Sequence, residues 1–138
     1  MLTPTFNKTI TVFNRLSAKD SLTGKDVWYR KVLTECSFVG SVVRNASGNT
    51  VSVGNAYVCR IPKNESYLPY SEWKNAADTH FTLNVGDYVF LGKITDTVTP
   101  NTIQSVYQQH KDTAFQIKAF SDNTGMVKRL EHYRVDGV

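Results

Sequence analysis

The sequence predicts a mainly β protein, a small antiparallel β-barrel or sandwich with one or two short helices. Three observations carry this prediction. Several short runs alternate apolar and polar residues, the period of half-buried strands; clusters of Gly, Asn, Asp and Pro separate those runs; and aromatic residues reach 12% of the chain, a composition that suits sheets better than helical bundles. A length of 138 residues is enough for one core and short for two, so residues 1–138 read as one domain.

Residues 9–13, TITVF, form a compact β-branched run and predict the first strand. Residues 17–26, SAKDSLTGKD, are polar around Gly24 and predict a loop. Residues 27–38 alternate for about a dozen positions, with Trp28, Val32, Cys36 and Phe38 on one parity and Arg30 and Thr34 interrupting it. A long twisted or bulged strand accounts for the imperfect pattern. Residues 40–55 then mix small polar residues, glycines and valines. The turn signal at 45–49 predicts a flexible hairpin with arms at 41–43 and 50–53, making 41–54 a projecting loop.

Residues 56–61, AYVCRI, return to strand character and stop at Pro62, which cannot donate to a ladder. The connection at 63–80 contains no clear strand, yet it holds Tyr67, Tyr70 and Trp73. Ser71 predicts a cap for a single helical turn through Ala77. Residues 81–92, FTLNVGDYVFLG, place Phe81 and Leu83 on one face before Gly86-Asp87 and Val89 and Leu91 on one face after it, which predicts a β-corner. Thr99 and Pro100 predict the cap and first turn of an amphipathic helix over 101–111, with Ile103, Val106, Tyr107 and His110 at helical spacing, covering one open end of the β-structure. Residues 114–120 and 128–135 flank SDNTG and predict a hairpin. Its second arm places Tyr133 and Val135 on the parity opposite Leu130, His132 and Arg134.

The net charge is +4, and it is unevenly spread. Residues 1–69 carry nine basic and four acidic residues, giving +5, whereas residues 70–138 carry seven basic and eight acidic, giving −1. This suits ordinary solubility or a basic face toward a polyanion, although no basic cluster exceeds a pair such as Lys128-Arg129. No apolar run approaches the ~18–20 residues that span a bilayer, and no signal-like pattern opens the chain, so the expected compartment is a cytoplasm with no membrane partner. Cys36 and Cys59 fall in apolar runs and are expected to be free, buried thiols.

Chemistry is sparsely encoded. His80, His110 and His132 are far apart and neither cysteine belongs to a CxxC or CxxH pair, so no metal site is expected. No nucleophile elbow, phosphate loop or dinucleotide fingerprint is present. Asp87 reads as a turn residue bonding its own backbone, and Asp20, Asp26, Asp96 and Asp112 sit in loop or cap contexts. These absences predict no catalytic residue, no cofactor and no enzymatic activity. An OB-like single-strand nucleic-acid binder is an alternative, since Tyr67, Tyr70 and Trp73 lie beside a basic half, but the aromatics are not interleaved with Lys and Arg. The same three aromatics are expected at a subunit or partner contact, with packing onto the protein's own barrel as the other option.

The order of parts resembles the head-tail joining, or head-closure (stopper), proteins of long-tailed bacteriophages. The resemblance rests on ITVFNRL, the polar loop before VWYRKVL, the insert ending in AYVCRIP, FTLNVGDYVFLGKI, and the closing FQIKAF and EHYRVDG segments, and it spans 9–137. It implies a non-enzymatic ring that assembles beneath portal and adaptor proteins, retains packaged double-stranded DNA and receives the tail. The implied location is the head-tail interface of the virion, assembled in the bacterial host cytoplasm; an adaptor, tail terminator or tail tube subunit is the neighbouring alternative. Within a ring, 41–54 is the expected gating loop. Val42, Val43, Val51 and Val53 would pair edge to edge between copies, Arg44 would face DNA phosphates, and Asn45 and Gly48 belong to a tip unable to build a core.

Overall fold

The computed structural model describes residues 7–47, 50–95, 98–110, 113–124 and 131–137, apart from the side chains of 41–55. Six strands, β1 (Lys8–Leu16), β2 (Val27–Ser47), β3 (Thr50–Pro62), β4 (Tyr88–Leu91), β5 (Ala114–Asn123) and β6 (His132–Gly137), are joined by two short helices, α1 (Tyr70–Trp73) and α2 (Ile103–Gln109). The strands close into an antiparallel barrel in the order β1-β2-β3-β6-β5-β4. The predicted mainly β class is therefore observed, in its barrel form.

Two strands belong to both halves of the barrel and turn its corners. β2 pairs with β1 up to Lys8↔Cys36 and with β3 from Ser37↔Arg60 onward. Between Ile10↔Leu33 and Lys8↔Cys36 it carries one extra residue, and there Glu35 adopts a positive φ of 58°. Such a bulge bends the strand and re-aims its side chains. The inward parity accordingly passes from Leu33 to Cys36, three positions apart, so Trp28 and Val32 do not share the core with Cys36 as their even spacing predicted. β5 shifts register in the same way between Ile117 and Ala119 as it passes from β4 to β6.

Inside the barrel pack Ile10, Val12, Cys36, Cys59, Val89, Phe115, Ile117 and Val135. Alternation along β1 and β4 sends Phe13, Tyr88 and Phe90 to the outer surface, where Ile103 and Val106 of α2 cover them. The apolar run YVFL is thus buried on both faces, which explains why it lacks polar interruptions. α2 lies against the outer wall instead of closing an open end. It also starts later than predicted, with Thr102 at the cap position, because the carbonyl of Thr99 is taken up in a preceding turn by the N–H groups of Thr102 and Ile103.

Residues 81–83 differ from the predicted strand. Phe81 makes an isolated parallel bridge to Tyr67, and Phe81, Thr82 and Leu83 are all buried. Gly86 supplies the positive φ of 101° that the turn into β4 requires. At the last corner Gly137 pairs with both Tyr57 and Ile117, and a Cβ there would fall 2.3 Å from the Gln116 carbonyl oxygen and the Phe115 ring. Only glycine fits.

Candidate functional site

The ribbon formed by β2 and β3 is the feature that the barrel does not use. β1 leaves β2 at Cys36, and β6 leaves β3 at Tyr57. From Ser41↔Ala56 to Ser47↔Thr50 the two strands pair only with each other among the described residues. Seven consecutive pairs at ~3.4 Å each carry the ribbon about 24 Å beyond that point.

The predicted hairpin is present, but its arms are longer than expected. Asn45, Ala46 and Ser47 pair with Ser52, Val51 and Thr50 as ladder residues instead of forming the turn. Among the expected channel residues, the register sets Val42 opposite Asn55, Val43 opposite Gly54, Arg44 opposite Val53, and Val51 opposite Ala46. Positions 42, 44, 46, 51, 53 and 55 share one side of the ribbon, and 43 and 45 fall on the other. Gly48 lies outside the described residues.

The root of the ribbon is clamped. Gly40 faces Tyr57, whose ring would lie 2.9 Å from any Cβ at that position. Tyr57 stacks on Phe115 with ring centroids 5.6 Å apart and an interplanar angle of 6°, and Phe38 tilts against both rings at 5.8 and 5.7 Å. Aromatic pairs at such distances contribute ~0.5–1.5 kcal/mol beyond simple burial. The ribbon therefore leaves the barrel in a set direction. Between Gly40 and Val58 its only charged residue is Arg44, so it lacks the Lys, Pro and inward charges with which exposed edges resist pairing.

The aromatic connection behaves differently from its sequence expectation. Trp73 is 0% exposed within one subunit; its indole N–H donates to the His80 carbonyl at 2.9 Å, and Tyr29 meets its ring edge-on at 5.8 Å. That burial overturns the assignment of Trp73 to a partner contact and removes one ring from the set a single-strand binder would stack on. Tyr70 lies beside Trp73; its hydroxyl accepts from the Ser17 N–H at 3.0 Å and donates to Asp20 at 2.9 Å, while Lys74 reaches the same carboxylate at 3.8 Å. The connection is thereby latched to the β1–β2 loop. Tyr67 stands apart from that pair, stacked on Tyr133 at 4.3 Å, and burial pushes its phenol up to about 12. Tyr67 and Tyr70 are only half-buried. The cap position of α1 is Pro69, with Ser71 inside the helix, because the Pro69 carbonyl already accepts from Glu72 and Trp73.

A buried polar network escaped the sequence reading. Asp87 is 2% exposed. Its carboxylate accepts from Asn14 Nδ2 at 2.9 Å, from the Arg15 N–H at 3.1 Å and from the Asn84 N–H at 3.2 Å, while Asn14 also exchanges hydrogen bonds with the Thr82 backbone. Burial pushes the Asp87 carboxyl up to about 6, against these bonds and the Arg15 charge, which pull it down. The network ties 82–87 to β1, a larger role than the local turn bond predicted. Its only sequence signal is an Asn closing an apolar strand, Asn14, and an Asp after Gly86.

Cys36 and Cys59 are free and buried, and desolvation pushes the Cys36 thiol up to about 12 and Cys59 well above the ordinary thiol range. Among the described residues no group of three or more His, Cys, Asp or Glu is placed to hold a metal ion, and no helix is long and apolar enough to cross a membrane.

Fold and site together define a small β-barrel protein with a free two-stranded ribbon. The chain belongs to the family of unknown function DUF6751, whose model matches residues 4–138. No curated protein and no solved structure matches it.

Proposed function

We propose that this protein is a non-enzymatic structural subunit of a phage head-tail connector, forming a head-closure (stopper) ring that retains packaged double-stranded DNA and offers a platform to the tail. The observation that carries the reading is the ribbon: seven ladder pairs with both outer edges unpartnered among the described residues, clamped at its root and carrying a single charge. Unprotected edges of this kind favour strand pairing with another copy, and head-to-tail pairing that closes generates a ring. In such a ring Val42, Val43, Val51 and Val53 supply β-branched residues suited to added strands. Arg44, repeated once per subunit, supplies a collar of charge for DNA phosphates. Portal-adaptor and tail proteins are the partners above and below, and the virion's head-tail interface is the location.

Negative-stain electron microscopy of the purified protein tests the oligomer, with ring particles as the expected result and monomers at all concentrations as the contrary one. Deleting 45–49 joins Arg44 to Thr50 and leaves a three-residue loop on an intact root. Heads assembled with that variant should lose their DNA; full, infectious heads would contradict the gating role.

A further inference from the structure

We infer that the cleft between the β1–β2 loop and the Pro100 turn receives an extended peptide bearing a carboxylate, contributed by a partner protein. Two lobes, one of about 780 Å³ and a narrower one of about 190 Å³, share Asp26 and Pro100 and so form a single trough. Lys25 borders the wide lobe and Arg15 the narrow one, and neither makes an ion pair among the described residues. Among the described residues the only carboxylate lining either lobe is Asp26, and one of its oxygens is held by the Ala18 N–H at 2.9 Å. The described lining therefore carries a net charge of +1 (Arg15 and Lys25 against Asp26), with Arg15 also acting on the buried Asp87.

The narrow lobe adds an apolar surface and an acceptor. Trp28 is half-buried and tilts against Tyr88 at 5.6 Å, giving a face on which a proline or aliphatic side chain can rest. Gln104 donates its amide N–H to the Tyr88 hydroxyl at 2.8 Å, which fixes the carboxamide and leaves its carbonyl oxygen for a peptide N–H. An open trough of two lobes, with one cation lining each, suits a length of main chain better than a compact molecule, which is normally enclosed by mostly apolar walls.

The chain has two tryptophans, and Trp73 is fully buried, so ligand-dependent fluorescence reports on Trp28. The probes are acetyl-(Glu-Pro)3-amide, its Gln-Pro and Lys-Pro counterparts, and a thymidine oligonucleotide. Saturable quenching by the Glu-Pro peptide is expected, with affinity about tenfold above that of the Gln-Pro peptide, as two solvent-facing charge pairs allow. The paired substitution Arg15→Gln, Lys25→Gln should erase this preference while the far-ultraviolet dichroism stays unchanged. In Trp28→Phe the fluorescence response should vanish while peptide-induced amide shifts at Thr23 and Gln104 persist. Equal binding of the three peptides, no binding of any, or a preference for the Glu-Pro peptide that survives the paired substitution would overturn the proposal. Tighter binding of the oligonucleotide at the same amides would assign the trough to nucleic acid and overturn it as well.

Discussion

β2 runs through two environments within one strand. From Val27 to Cys36 it is flanked by β1, with Leu33 and Cys36 turned into the core; beyond Gly40 its only neighbour among the described residues is β3. The first part is held by burial, since each fully buried Leu, Val or Phe side chain contributes ~1.5–3 kcal/mol. The second has two ladder edges and no core beneath it. One strand thus divides in two: one part holds the barrel core, and the other has open edges, which the proposed function uses as a surface for association. The Glu35 bulge and the Tyr57–Phe115–Phe38 cluster mark the boundary.

Substitutions in the body of the protein should therefore be costly. The largest effect is expected at Trp73, where truncation to Ala leaves a cavity between α1 and Tyr29 and frees the His80 carbonyl; the loss should be about 4 kcal/mol, read from chemical denaturation. Gly137→Ala should follow at about 3 kcal/mol, at or beyond the upper end of ordinary overpacking, since the new Cβ meets the Gln116 backbone and the Phe115 ring. A near-neutral result there would mean that the barrel closes more loosely than its register implies.

Asp87 sharpens the same comparison through pH. Its folded-state pKa, about 6, lies above the ordinary 3.8, so between those values the folded protein holds more proton than the unfolded chain. Its contribution to stability is greatest below pH 4, declines as pH rises toward 6 and is level above that. The difference corresponds to about 3 kcal/mol at most. Asp87→Ala should remove this slope and cost about 2 kcal/mol at pH 7 by leaving the Arg15 and Asn84 N–H groups without their acceptor. Denaturation at several pH values, compared between the two proteins, measures both. The smallest effect is expected at Glu35. A positive φ costs a non-glycine residue ~1 kcal/mol or more, so Glu35→Gly should stabilise by about 0.5 kcal/mol after glycine's own entropy loss; a destabilisation would show that the carboxylate has a role at the corner.

Local signals made much of the fold legible. The polar residues of 17–26, the β-branched runs and Pro62 located four strand regions, and the valine-rich, charge-poor stretch at 41–54 located the ribbon. What the residues did not display depends on long-range pairing. The parity change at Glu35 arises from register against β1, and nothing in the local pattern announces it. Trp73 resembles an interface anchor in sequence because burial by its own subunit depends on Tyr29 and His80 arriving from elsewhere. Asn14 and Asp87 are ordinary turn and strand-end residues until closure of the barrel brings them within 2.9 Å. The proposed charge collar at Arg44 rests on composition alone, since assembly is a property of many copies.

The most direct test of the division between barrel and ribbon is to remove 45–49 and measure denaturant stability and solution mass by light scattering on the same sample. The account predicts an unchanged midpoint, within about 0.5 kcal/mol as for sites away from any core, together with loss of the assembled species. A variant that unfolds more easily by several kcal/mol, or one that still assembles fully, would contradict it.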